Sequence, residues 1–134
     1  MINSVIHHLG IGLQNPAAAE RFFDQFLVGY LGMGKERTTE AVAGWKGRGS
    51  RIYLYPLDSG AVSGALQHLA FTARTPAEVD AFLAWAAQHG IPITAGPHAY
   101  PEYGRDYYAV FFTGPEGLKL ELVHLSEADG AEPL

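Results

Sequence analysis

The chain contains no cysteine, which excludes disulfides, thiolate nucleophiles and thiolate-ligated metals. It is also sparing with charge. Charged residues are 17% of 134, and 9 Lys and Arg against 14 Asp and Glu leave a formal net charge of −5. No Lys/Arg-rich run occurs, so neither nucleic acid nor a membrane surface is an expected partner. No apolar run approaches the roughly 18 residues that span a bilayer. The opening Met1-Ile2-Asn3-Ser4 carries no basic stretch and no small-residue cleavage site, so a cytoplasmic location is expected. What is abundant is apolar surface: 48% of residues are hydrophobic, the composition of a globular chain.

The sequence is written twice. Displacing it by 60 positions lays His8 on His68, Leu9 on Leu69, Pro16 on Pro76, Ala17 on Ala77 and Phe22 on Phe82. Asn15 falls on Thr75, and each is a good helix N-cap followed by proline at the first helical position. The order of elements repeats as well. Ser4–Leu13 alternates as a strand, and Pro16 to about Tyr30 has helical spacing at Phe22, Phe23, Phe26 and Leu27. Three shorter strands are expected at Leu31–Thr39, Ala41–Lys46 and Arg51–Leu57, separated by glycine-bearing turns. In the second half, Ala65–Ala73 is a strand and Pro76–His89 a helix with Val79, Phe82, Leu83 and Ala86 inward. Ile93–Tyr100, Tyr107–Thr113 and Leu118–Leu125 follow, the last two joined by the turn Gly114-Pro115-Glu116-Gly117. The expected fold is therefore α+β. It is a single domain, 1–134, built of two βαβββ modules, about 4–57 and 65–125, with a linker at 58–64. One helix covers one face of each sheet, so the curved sheets are expected to face a central cavity, or a dimer interface, with the helices outside.

Alternation assigns the side chains. His8 shares a face with Gly10 and Gly12, His68 with Ala70 and Thr72, and Glu121 lies mid-strand away from the helix. His7 alternates to the helix side and reads as structural. Two imidazoles and a carboxylate on three strands make a common donor set for one divalent metal ion (Fe, Mn, Ni, Co or Zn) with positions left open for substrate or water. Hence His8, His68 and Glu121 are the expected metal ligands.

The segments Ile6-His7-His8-Leu9-Gly10-Ile11 and Leu66-Gln67-His68-Leu69-Ala70-Phe71 resemble the first-strand pattern of the vicinal-oxygen-chelate superfamily, which joins glyoxalases, bleomycin-resistance proteins and extradiol dioxygenases. The run from Tyr107 to Val123 resembles its closing hairpin, with Gly114 and Glu116 in place of the usual aspartates. The resemblance spans about residues 4–125 and implies metal at His8, His68 and Glu121, and often a homodimer. Aligning Gly49–Tyr55 on Gly117–Val123 puts Tyr53 at the position of Glu121, where glyoxalase I-like members carry a carboxylate. A phenol with a pKa near 10 is a poor ligand at neutral pH, so Tyr53 is expected as a hydrogen-bond partner or general acid. Phe111 or Phe112 replaces the tyrosine usual in the dioxygenases, and Val123-His124-Leu125 lacks the basic residue of the thiol transferases.

A small-molecule substrate chelating the metal through adjacent oxygens is implied, with isomerase or lyase chemistry favoured and Glu121 or Tyr53 moving the proton. The alternatives are an extradiol-type dioxygenase, a thiol transferase, or a non-catalytic resistance protein that sequesters its ligand. The tyrosine-rich stretch from Tyr100 to Tyr108 reads as a lid or as a plain hairpin loop. As a lid it would offer Tyr103, Arg105 and Tyr108 to substrate, Arg105 as a bidentate carboxylate anchor. Trp45 reads as cavity wall or core.

Overall fold

Each helix starts as the sequence dictates. In the computed structural model, Asn15 Oδ1 accepts the Ala18 N–H at 3.0 Å and Thr75 Oγ1 accepts the Glu78 N–H at 3.1 Å, with Pro16 and Pro76 behind them. These bonds satisfy donors that the first helical turn leaves without partners. The structure describes residues 6–39, 42–57, 66 and 68–126.

The fold is α+β, two modules of four strands each. The chain divides into two compact units, Met1–Ser63 and Gly64–Leu134. The boundary falls in the stretch 58–64 read as a linker, which lies outside the described residues.

The first unit runs β1 (Leu9–Leu13), α1 (Pro16–Phe23), a π-helical stretch (Asp24–Tyr30), β2 (Gly34–Thr39), β3 (Val42–Gly47) and β4 (Ser50–Pro56). Its sheet order is β1-β4-β3-β2, with β1 parallel to β4 and the other pairs antiparallel. The single helix expected to about Tyr30 thus changes winding at Asp24. The wider π turn, closed by Leu31 N–H to Phe26 O at 2.9 Å, puts Phe26 and Leu27 together into the core. It also brings Asp24 to Trp45, whose indole N–H donates to Oδ1 at 3.0 Å, and to Lys35, whose ammonium reaches the same oxygen at 2.7 Å. Arg37 and Lys35 both bind Glu20, tying the edge strand β2 to the helix.

The second unit repeats the plan: β5 (Leu69–Thr72), α2 (Pro76–Gln88), β6 (Ile93–Ala99), β7 (Tyr108–Thr113), a 3₁₀ turn (Pro115–Gly117) and β8 (Lys119–His124). Its sheet order is β5-β8-β7-β6. Phe71, Val110, Phe112, Leu120 and Leu122 are buried under α2, which contributes Val79, Phe82 and Ala86. Phe82 and Phe112 rings approach to 4.5 Å. Leu83, expected inward, is 42% exposed: α2 turns Val79, Phe82 and Ala86 to the sheet and leaves Leu83 at the side of that face.

Both first strands are shorter than their alternation suggests. Among the described residues β1 begins at Leu9 and β5 at Leu69; the expected starts at Ser4 and Ala65 lie outside the described residues. A strand persists only while a partner is beside it. Leu9 pairs with Ile52 and Leu69 with Leu120, close to where β4 and β8 begin. His8 and His68 therefore stand just ahead of the ladders, at equivalent places in the two modules.

Candidate metal centre

The β8 strand carries Glu121 opposite Ala70 of β5 and Phe111 of β7, on the face turned away from α2. Leu120 and Leu122, its neighbours, point under the helix and fix that register, since a slip of one residue would exchange the faces. Glu121 is 1% exposed and is the one buried charged residue among those described. A carboxylate so placed needs partners, because stripping its water without replacement is costly.

Two groups meet it. The Tyr107 hydroxyl donates to Glu121 Oε2. His68 Nε2 lies 3.5 Å from Oε1. That separation exceeds the ordinary 2.7–3.2 Å of an N–H···O bond. It suits two donors that each reach one ion at about 2.0–2.2 Å. Burial first, then the bond to Glu121, pushes the Tyr107 phenol well above its usual range, so it stays a donor at any physiological pH.

Tyr107 was not among the expected site residues. It lies on the loop between β6 and β7, one step ahead of β7, and by alternation shares the face of Ala109, Phe111 and Glu121. The loop closes on itself: Tyr100 N–H donates to Tyr107 O at 2.8 Å, and Tyr103 N–H to Tyr100 O at 3.0 Å. Tyr100 and Tyr103 stack at 5.5 Å, and Tyr100 meets Phe111 edge-on at 5.6 Å. These rings form an aromatic wall beside Glu121. Tyr103 is 61% exposed, and Arg105 is exposed on the same loop.

The first unit holds the third expected ligand. His8 is exposed, and its ring lies edge-on to Tyr53 at 5.7 Å. Tyr53 pairs with Gly10 and Gly44 just as Glu121 pairs with Ala70 and Phe111, so the two occupy equivalent register positions. A Cβ on Gly44 would overlap the Tyr53 ring, so only glycine lets the phenol lie across β3. Its hydroxyl donates to Glu36 Oε2 at 2.6 Å. That bond raises the Tyr53 pKa above the ordinary value. Glu36 is the second residue that the sequence reading missed. It sits on the edge strand β2 opposite Gly44, just before the register shift between Arg37 and Thr39. His7, expected on the helix side, is exposed and bonds instead to His8 at 3.0 Å and Arg51 at 2.8 Å.

Two expected substrate contacts are displaced. Trp45 is fully buried on the helix side of β3, against Phe23 and bonded to Asp24, so it is core. Tyr108 also turns to the helix side, where its hydroxyl donates to Asp80 of α2 at 2.5 Å. Among the described residues no three His, Asp or Glu side chains gather into one metal-binding group. The structure brings His68 and Glu121 together in the second unit and sets His8 beside Tyr53 in the first.

The family model of the Glyoxalase/Bleomycin resistance protein/Dioxygenase superfamily matches residues 5–122. Among solved structures, the chain is similar to a glyoxalase-like protein of Bacillus halodurans at 24% identity, with a TM-score of 0.75 over 92% of this chain and 97% of that one. It is similar to a glyoxalase/bleomycin resistance protein of Albidiferax ferrireducens at 23% identity, with a TM-score of 0.69 over 92% and 100%. It is also similar to a lactoylglutathione lyase of Agrobacterium tumefaciens at 21% identity, with a TM-score of 0.67 over 90% and 93%. No match was found among curated proteins.

Proposed function

The chain belongs to the Glyoxalase/Bleomycin resistance protein/Dioxygenase superfamily, and from that premise we propose that it is a metal-dependent enzyme acting on a small molecule that offers two adjacent oxygens. The observation that carries this reading is the pair His68 Nε2 and Glu121 Oε1, 3.5 Å apart with the carboxylate buried. The donor set fits a divalent ion of the Fe, Mn, Ni, Co or Zn kind: neutral nitrogen, anionic oxygen, and a second oxygen already satisfied by Tyr107. His8 is the third ligand in this proposal, contributed within one chain or by a second copy in a homodimer. When bound, the ion would supply Lewis-acid stabilisation of negative charge on a substrate oxygen.

The chain's own residues supply the rest. Tyr53 stays a phenol, its proton committed to Glu36, and serves as donor and proton relay with Glu36 as acceptor. Glu121 is the other candidate for moving the proton. Tyr103 and Arg105 remain the proposed substrate contacts, the guanidinium for an anionic group. Chemistry of the isomerase or lyase type is favoured, because it needs only charge stabilisation and proton movement. No helix among the described residues is long and apolar enough to cross a membrane.

Metal analysis of protein purified without chelators tests the reading. About one ion per chain is expected, with turnover of some member of an α-keto, catechol and thiol-adduct panel. Sedimentation is expected to give twice the chain mass, and a monomer at micromolar concentration removes the dimer. Protein that stays metal-free after dialysis against Fe, Mn, Ni, Co and Zn defeats the metal assignment. Protein that holds metal and binds a panel member without turnover is a sequestering protein instead.

Tyr53→Phe separates its roles. It is expected to leave metal affinity within about twofold while lowering turnover by about 10²-fold, the usual share of a positioned acid or base. A matching loss of affinity would make Tyr53 a ligand. Unchanged affinity and turnover would make it a wall.

A further inference from the structure

We propose that Tyr107 is the positioning residue of the metal site, its hydroxyl holding Oε2 of Glu121 so that the carboxylate presents the single oxygen Oε1 on the side of His68. The inference rests on the metal reading above and assigns the orientation of one ligand.

A glutamate has three side-chain torsions, and its carboxylate can meet a cation through one oxygen or both. Among the described residues, Tyr107 is the one side chain that hydrogen-bonds to Glu121. The two carboxylate oxygens are thereby made unequal: Oε2 is occupied by a phenol, and Oε1 faces the imidazole at 3.5 Å. The phenol is itself held. Tyr107 O accepts the Tyr100 N–H at 2.8 Å, and its ring lies edge-on to Tyr103 at 5.5 Å and to Tyr100 at 6.4 Å. The end of the loop is fastened where Ser126 N–H donates to Arg105 O at 3.3 Å. A donor fixed by its own backbone and neighbours orders the carboxylate before any ion arrives, which spares that ordering on binding. Hydrogen bonds to ligating side chains act in this way in metal sites generally.

The test is cobalt(II) titration of chelator-treated full-length protein, read by calorimetry and by the visible absorption of the bound ion. Tyr107→Phe keeps the ring and removes only the hydroxyl. It is expected to weaken cobalt binding by about 10- to 100-fold. It is also expected to dim the visible bands, because a freed Oε2 can join Oε1 on the ion and raise its coordination number. Tyr108→Phe removes the adjacent hydroxyl, which bonds to Asp80 on the helix side and does not reach Glu121, and is expected to leave affinity and spectrum as in wild type. Tyr107→Phe protein that binds cobalt with wild-type affinity and spectrum overturns the inference while leaving the metal reading intact, and a lowered melting temperature alone would assign the hydroxyl a purely structural role. Wild-type protein that takes up no cobalt overturns both.

Discussion

Chelator-treated protein carrying His68→Ala is expected to bind cobalt(II) about 10²- to 10³-fold more weakly than wild type, which is one ligand's share of the roughly 10–16 kcal/mol that a full four-ligand zinc set supplies. The expectation follows from the neighbourhood of Glu121. That carboxylate is 1% exposed, and the imidazole at 3.5 Å is its only described partner besides Tyr107. Removing the imidazole leaves an anion with one hydrogen bond and, among the described residues of its own unit, no neighbouring nitrogen to share an ion. The variant is expected to remain folded, because His68 is half exposed and precedes β5. Calorimetry gives the affinity and circular dichroism the fold. A folded His68→Ala protein with wild-type affinity would remove His68 from the site, and the significance of the 3.5 Å separation with it.

Trp45→Ala is expected to cost about 3–5 kcal/mol of stability, the range for deleting a buried aromatic. Trp45 is fully buried against Phe23, and its N–H is the donor that anchors Asp24. Arg37→Ala, which removes an ion pair at the partly exposed edge of the same unit, should cost about 1 kcal/mol or less. Urea unfolding of the two variants measures the contrast. A Trp45→Ala protein as stable as wild type, with altered substrate affinity, would return Trp45 to the cavity wall from which its burial has moved it.

The helices and hairpins were legible because short-range chemistry determines them. Asn15-Pro16 and Thr75-Pro76 start helices by local bonding, and Gly114-Pro115-Glu116-Gly117 turns the chain by backbone preference. The faces of Glu121 and Tyr53 were legible too, since alternation is rigid once leucines fix one side. Trp45 and Tyr108 were harder to read. An amphipathic ring suits either face of a sheet, and each was drawn to the helix side by a carboxylate there, Asp24 or Asp80. Tyr107 was hidden because it stands where the expected strand Tyr107–Thr113 and the tyrosine-rich stretch Tyr100–Tyr108 overlap, and the structure leaves it one residue ahead of β7. Its parity could have been counted back from Phe111 had the start of β7 been secure. Glu36 needed a register for β2, whose pairing with β3 shifts between Arg37 and Thr39. The π winding has no sequence signature among Asp24–Tyr30 that distinguishes it from an α-helix.

The register also locates the asymmetry between the modules. Glu36 and Ala95 hold the same place opposite β3 and β7 and stand 59 positions apart, whereas their partners Gly44 and Phe111 stand 67 apart. The second module therefore carries 8 more residues between these positions, most of them in the tyrosine loop. Lengthening a surface connection is thermodynamically mild, about 0.6 kcal/mol for each doubling. A longer connection in one module thus brings a phenol to a glutamate, at a position where the other module has Tyr53, with little loss of stability. The two halves thus build the same phenol–carboxylate pair in opposite senses: in the second the carboxylate, Glu121, stands mid-sheet and the phenol of Tyr107 comes from the loop, while in the first the phenol, Tyr53, stands mid-sheet and the carboxylate of Glu36 comes from the edge strand.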